Sequence, residues 1–303
     1  MRMVMAAFLV LAPLIQRLPT AEPFAEVGVW YAGPGARPPA IVTGDVDTLR
    51  ADLERIRRAG FNTVVTWVRW REAEPAKGAY ALGGTERLIA AAAAADLRVA
   101  IVVLPEAPDW AAGASSRPFL DYAARRLSLN PAVLRVVADA PAIQASRIEV
   151  AASAPAARVA FWAALARGDT SLSFISADGD LRRVLPLGET AGVVTRNPAL
   201  FAPLKPREKG VVAVSSAGGG APIDVKLMES PQAILIVGVN YAPAPRTATI
   251  TFAPDIPEAI WQNLETGTSV NFVMTEKGPV LEHLFGPRDA LVLMIRKTLR
   301  PPA

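Results

Sequence analysis

The chain has no cysteine and a single histidine, His283, among its 303 residues. Without cysteine there can be no disulfide, thiolate metal site or thiol nucleophile. One histidine cannot build a multi-histidine metal site and counts against a Ser-His-Asp triad. The chemistry that remains is mainly that of carboxylates, and no cofactor or metal is expected. Basic runs are also missing. The formal charge of +4 is spread over many Arg and Lys without a basic face, so nucleic acid is not an expected partner. Long apolar runs are scarce. Met1 to Ile15 has one Arg followed by MVMAAFLVLAPLI, which matches the length of a signal-peptide apolar region and falls short of the ~20 residues of a membrane-spanning helix. Two readings of residues 1–25 stay open: a signal-like segment of a secreted or periplasmic protein, or a disordered, buried or mis-started segment of a cytoplasmic one. Stable membrane insertion is not expected from either.

What is present describes a globular protein with a large core. Hydrophobic residues make up 51% and charged residues 20%, and the length suits one large domain with a smaller one. From Glu26 onward strand and helix alternate. EVGVWY (Glu26 to Tyr31) reads as a strand, and Asp45 to Ala59 as a helix with Leu49, Leu53 and Ile56 on one stripe. Gly60 closes that helix with the backbone conformation glycine tolerates best. Thr63 to Val68 is β-branched and aromatic throughout, as in a strand buried on both faces. A helix over Thr85 to Ala95 and a strand over Arg98 to Leu104 repeat the pattern, which predicts parallel βαβ units. Pro118 to Arg126 reads as a helix and Ala132 to Ala138 as a strand ending at Asp139. Arg147 to Ala151 reads as a further strand, with a helical turn over Gln144 to Ala152 as the alternative. Pro155 to Arg167 is a helix, Ser171 to Ile175 a last strand, and Asn197 to Leu204 a short helix.

The periodicity changes after Lys205 to Gly210. VVAVS, IDVKLM, AILIVGVN, RTATITF and ALVLMIR are short runs separated by turn residues, the pattern of an antiparallel β-sandwich. The predicted architecture is therefore α/β: a (β/α) TIM-barrel-like domain over residues 26–207, incomplete at five or six strands, then a β-sandwich over 208–303.

Two stretches carry a family likeness. Gly60, Phe61, Asn62, Trp70, Glu74, Pro75, Gly78 and Tyr80 together resemble the second strand and following loop of clan A glycoside hydrolases, especially the beta-galactosidase-like enzymes of family 42. Where that family has an Arg three residues after the Asn, this chain has Val65. Arg69 lies on the same strand face and is the candidate to replace it. RIEVAAS and AARVAFWAALARGDTSLSF resemble the family's seventh strand and the helix after it, on Glu149, Arg158, Trp162, Ala164, Leu165, Ala166 and Gly168.

The resemblance implies a carbohydrate partner and retaining hydrolysis by two carboxyl groups at the C-terminal ends of barrel strands, with Glu149 as nucleophile. The acid/base of the clan follows an Asn at the end of the fourth strand, and no Asn-Glu pair occurs in the chain. The expectation is that this strand is missing or shortened and that Glu106, in the loop PEAPDWAAG, is the candidate proton donor. Trp30, Arg69, Trp70, Asp109 and Trp110 are the candidate substrate-binding residues, since aromatic rings at strand ends can stack on the C–H faces of sugars. Each has an ordinary alternative: a strand-end charge for Glu149, loop capping for Glu106 and Asp109, core packing for the tryptophans. Glu74 reads as a structural residue, and His283 and Trp261 as β-domain residues without catalytic role. Two functions stay open at this point: a beta-galactosidase-like glycosidase, or a non-catalytic relative that binds carbohydrate or serves as a structural module.

Overall fold

The computed structural model describes residues 23–139, 146–150, 153–216, 223–257 and 259–297; the signal-like segment Met1 to Ile15 lies outside them. The first half is built on a parallel six-stranded sheet. Its strands are β1 (Glu26–Trp30), β2 (Thr63–Arg69), β3 (Arg98–Leu104), β4 (Val133–Ala138), β5 (Arg147–Glu149) and β6 (Ser171–Ile175), in spatial order β4-β3-β2-β1-β6-β5. The last strand pairs with the first, Glu26 opposite Ser171 and Gly28 opposite Ser173, as closure of a barrel requires. Among the described residues the sheet stays open between β4 and β5. Eight residues, 139–146, separate them, fewer than the dozen or so that a single parallel crossover needs. The six strands agree with the expected five or six, and the gap falls after β4.

Side chains alternate strictly between the two faces of the sheet. Val27, Val29, Val64, Val68, Val99, Ile101, Val103, Leu172 and Phe174 face outward into one large core beneath the helices. Trp30, Val65, Trp67, Ala100, Val102, Leu104 and Ile175 face inward as a separate, smaller cluster. The period of two residues produces this division, and burial on both sides explains why the strands read as continuous apolar runs.

Two arginines span the open side. Arg135 of β4 donates bidentately to Glu26 of β1, with Nη2 to Glu26 Oε1 at 2.7 Å, and to Ser171 Oγ of β6 at 2.9 Å. In sheet order β4 stands three strands from β1, so this reach shows how far the sheet curls. Arg147 of β5 donates to Asp139, just past β4, at 3.0 Å. Its guanidinium also lies 4.4 Å from the ring centre of Trp30, a cation–π contact.

The helices are α1 (Val46–Ala59), α2 (Gly83–Ala94), α3 (Arg117–Leu127), α4 (Ala154–Ala166) and α5 (Gly188–Thr195), with single helical turns at Trp70–Ala73, Leu181–Val184 and Pro198–Phe201. Asp45 caps α1 by accepting from Thr48 N at 2.8 Å. Gly60 ends it at φ +122°, where a Cβ would stand 2.3 Å from the carbonyl oxygen of Gly188. Gly188 meets Ala59 equally closely, so α1 and the start of α5 touch backbone to backbone. Asn62 ties β1 to β2 by accepting from Val27 N (3.0 Å) and donating to Ala25 O (2.7 Å). The sequence reading did not anticipate α5, because GETAGVVT is buried nearly all round and shows no single apolar stripe.

The C-terminal half pairs a six-stranded antiparallel sheet with a four-stranded one. The strands are β7 (Lys205–Arg207), β8 (Val211–Ser216), β9 (Asp224–Glu229), β10 (Ala233–Asn240), β11 (Arg246–Phe252), β12 (Trp261–Asn263), β13 (Ser269–Val270), β14 (Val273–Thr275), β15 (Gly278–Phe285) and β16 (Asp289–Arg296). The sheet orders are β13-β12-β16-β10-β9-β7 and β14-β15-β11-β8. Ile236, Ile250, Phe252, Trp261, Leu281 and Phe285 fill the space between them, and His283 lies edge-on to Phe285. The other face of the larger sheet, with Leu235, Val237, Val292 and Met294, joins the core of the first half. Apart from Arg158, helix α4 is therefore apolar all round, and it packs on β10 and β16. Arg158 bolts this junction, donating to both carboxylate oxygens of Glu265, to Asp289 Oδ1 at 3.0 Å and to Ala290 O at 2.8 Å, while Trp162 Nε1 donates to Glu265 at 3.0 Å.

Candidate functional site

The C-terminal ends of the parallel strands open on a cavity of about 270 Å³. Trp67, Leu104 and Ile175 form its apolar floor, Pro38, Pro39 and Ala177 its rim, and Asp139, Arg147 and Glu149 its polar wall. The volume lies just below the range of about 300–1,000 Å³ typical of small-molecule sites. Glu149 is the last residue of β5 and Asp139 follows the last residue of β4, so the two carboxylates flank the opening of the sheet from opposite edges. Arg147, two residues before Glu149 and on the same strand face, orients Asp139 through its Nη2. The Nε of Arg147 is buried and has no hydrogen-bond partner. The wall thus offers two carboxylates and a cation over an aromatic floor, a donor and acceptor set suited to sugar hydroxyls.

The other predicted residues gather elsewhere. Arg69, at the end of β2, donates to Glu72 at 2.9 Å and to Glu106. The hydrogen bond to Glu106 is the main cause that holds the Arg69 guanidinium above its ordinary pKa, against the opposing effect of desolvation. Glu106 is thereby an ion-pair partner outside the cavity wall, whereas Asp139 is in it. Val65 is buried beside Trp30 within the inner cluster. Asp109 is almost fully exposed and faces Arg71 at 3.5 Å.

The structure does not bring the three predicted tryptophans together. Trp30 is buried in the inner cluster, donating Nε1 to Ser173 Oγ at 2.8 Å and lying 4.5 Å from the ring of Trp67. Trp70 begins a helical turn just past β2 and lies in the outer core, on the side that Val64 and Val68 share. Trp110 crosses Trp70 edge-on at 6.3 Å. Glu74 anchors both, accepting from Trp70 Nε1 through its carboxylate and from Trp110 Nε1 through its carbonyl, each at 2.9 Å.

Asp139, Arg147 and Trp67 were not among the predicted site residues. Asp139 carried the same signal as Glu149, a carboxylate at a strand's C-terminal end, and Trp67 lies two residues before Arg69 on the inward face. Among the described residues no group of three or more His, Cys, Asp or Glu could hold a metal, and no helix is long and apolar enough to cross a membrane.

No family model matches the sequence, and no curated protein matches it. Solved structures do resemble the fold. The alpha-amylase of Geobacillus thermoleovorans, solved with acarbose, is 9% identical with a TM-score of 0.58 over 91% of this chain and 99% of that one. An Anoxybacillus alpha-amylase is 8% identical with a TM-score of 0.59 over the same shares. The Thermotoga maritima alpha-fucosidase with bound fucose is 11% identical with a TM-score of 0.52, over 89% and 95% of the two chains. At such identities the likeness concerns the fold alone, here a parallel sheet that fits a partial barrel followed by antiparallel sheets.

Proposed function

We propose that this protein is a glycoside hydrolase that works on a saccharide held in the cavity at the ends of β2 to β6, with Glu149 and Asp139 as its two carboxylates. The carrying observation is that both line one small, partly apolar cavity at the sheet's C-terminal end, the end at which barrel enzymes place their chemistry. In the retaining form, the Glu149 carboxylate attacks the anomeric carbon and forms a glycosyl ester as the glycosidic C–O bond breaks. Asp139 gives its proton to the departing oxygen, then takes one from the water that hydrolyses the ester. Arg147 orients Asp139 and offers donors to sugar hydroxyls. Trp67 lies under the sugar's apolar face. Beta-galactosidase-like specificity rests on the sequence motifs Gly60 to Tyr80 and Ala156 to Phe174 alone.

The test is hydrolysis of an aryl-galactoside and other aryl-glycosides by the wild type, Glu149→Gln and Asp139→Asn, with folding followed by circular dichroism. Each variant should lose about 10²–10⁴-fold in rate, and Glu106→Gln much less. Equal rates in wild type and Glu149→Gln would sink the assignment. One observation favours the second reading, a non-catalytic sugar-binding protein: Asp139 is already paired with Arg147, and Trp30 fills the interior beneath them. That reading predicts saccharide binding by the wild type with no turnover of any aryl-glycoside.

A further inference from the structure

The residues that left the predicted cleft form a second feature. Trp110, Trp70, Phe119, Tyr80 and Tyr122 make a continuous run of ring contacts on the outer side of β2 and β3. Trp70 crosses Trp110 edge-on and lies parallel to Phe119, Phe119 stacks near Tyr80, and Tyr80 stacks on Tyr122 with ring centres 3.6 Å apart. Trp70 and Phe119 are buried at the centre of the run, while Trp110 and Tyr80 are each 39% exposed. Glu74, itself 5% exposed, fixes the assembly from beneath. It accepts from Trp70 Nε1 and Trp110 Nε1, and from the backbone of Gly78 at 2.9 Å, which shapes the turn leading to Tyr80. With the indole N–H groups bonded inward, the two tryptophans need no polar partner on their outer side. Rings held this way lose little freedom when a ligand stacks on them.

The surroundings select the ligand. Arg71 pairs with Asp109 and Arg117 with Asp121, so the nearby loop and helix α3 offer donors and acceptors in equal number with no charge excess. An anionic polymer or acidic membrane would find no basic field there, and a peptide helix would need a wider aliphatic surface than two rings provide. A neutral pyranose chain fits, having C–H faces for the rings and hydroxyls for the charged rim. The loops bearing Trp70 and Trp110 leave the sheet at the same C-terminal end as the cavity, with the Arg69–Glu106 pair between.

We propose that Trp110 and Tyr80 form an aromatic platform that binds a neutral oligo- or polysaccharide outside the hydrolytic cavity. The inference rests on the reading of the protein as one that acts on saccharides, but the two fail separately. The experiment is electrophoresis of the full chain through gels containing soluble neutral polysaccharides, one at a time: a galactan, a β-glucan and an α-glucan. The variants are Trp110→Ala, Tyr80→Ala, Tyr80→Phe and Glu149→Gln, with aryl-glycoside hydrolysis run in parallel.

At least one polysaccharide should retard the wild type. Trp110→Ala and Tyr80→Ala should each weaken that affinity about tenfold, the loss of one well-placed ring contact. Tyr80→Phe, which keeps the ring, and Glu149→Gln should bind like the wild type, and both platform variants should keep their rate on aryl-glycosides. Retardation unchanged in Trp110→Ala and Tyr80→Ala, or no retardation by any polysaccharide, overturns the platform and leaves the cavity reading standing. Retardation lost in the platform variants of a protein that hydrolyses no aryl-glycoside overturns the hydrolase and keeps the platform. Should Trp110→Ala fail to fold, the comparison of Tyr80→Ala with Tyr80→Phe decides alone.

Discussion

The two faces of the parallel sheet solve burial in opposite ways. The outer face is covered by helices and by the larger sheet of the β-domain, and its cluster is apolar and continuous through both halves of the molecule. The inner face is covered by the sheet's own curl and by the loop around Ala36 to Ala40. Its cluster is small, and charged side chains fill the space that missing strands would occupy: Glu26 with Arg135 at one end, Asp139 with Arg147 at the other. A full barrel buries its inner layers against each other. An open one leaves a polar gap at the side, and here that gap holds the candidate site. The comparison teaches that openness on the inner face supplies the cavity, while the outer face supplies the stability.

Paired substitutions measure that division. Trp162→Ala, in the outer core where helix α4 meets the β-domain, should cost about 3–5 kcal/mol in denaturant unfolding. Trp67→Ala, on the inner face, should cost less, near about 3 kcal/mol, because the space it vacates merges with an existing cavity instead of opening a sealed void. Equal costs would remove the asymmetry. At the polar end of the inner face, Arg135→Met should cost about 2–3 kcal/mol, since it leaves the Glu26 carboxylate buried without its cation, and the double variant Arg135→Met, Glu26→Gln should recover most of that loss. No recovery would mean that Arg135 acts by packing.

The smallest effect lies at the junction on the outer side. Burial raises the pKa of Asp289, but the hydrogen bond and charge of Arg158 outweigh it and hold the carboxyl below its ordinary value. A depressed carboxylate contributes stability that is fully present above the unfolded value near about 3.9 and is lost as pH falls through the folded one. Unfolding of the wild type should therefore become steeper below about pH 4 than that of Asp289→Asn, with the two curves parallel above it.

Much of this architecture was legible in the sequence. The strands over Arg98 to Leu104 and Ser171 to Ile175 lie where the apolar runs place them, and Asp45 and Gly60 bound α1 as their chemistry requires. The family-like Asn62 has a visible structural use in tying β1 to β2. The site was less legible. Trp70 follows Val64 and Val68 at even spacing, so the strand period itself puts it on the outer side, away from the cavity. Glu106 and Asp139 carried similar local signals, and nothing near either residue told which would share a cavity with Glu149.

The sequence by itself determined the alternation of strands and helices, the two-residue period of each strand, and the change to antiparallel strands in the stretch Lys205 to Gly210. These follow from periods of two and 3.6 residues, which are local properties. Only the tertiary structure decided where the sheet opens, which carboxylates line one cavity, and that Trp110 and Tyr80 join one run of ring contacts. Those outcomes depend on contacts between residues far apart in the chain, such as Trp30 with Ser173 and Arg135 with Glu26. Their partners are chosen by strand order and curl, which no local period encodes.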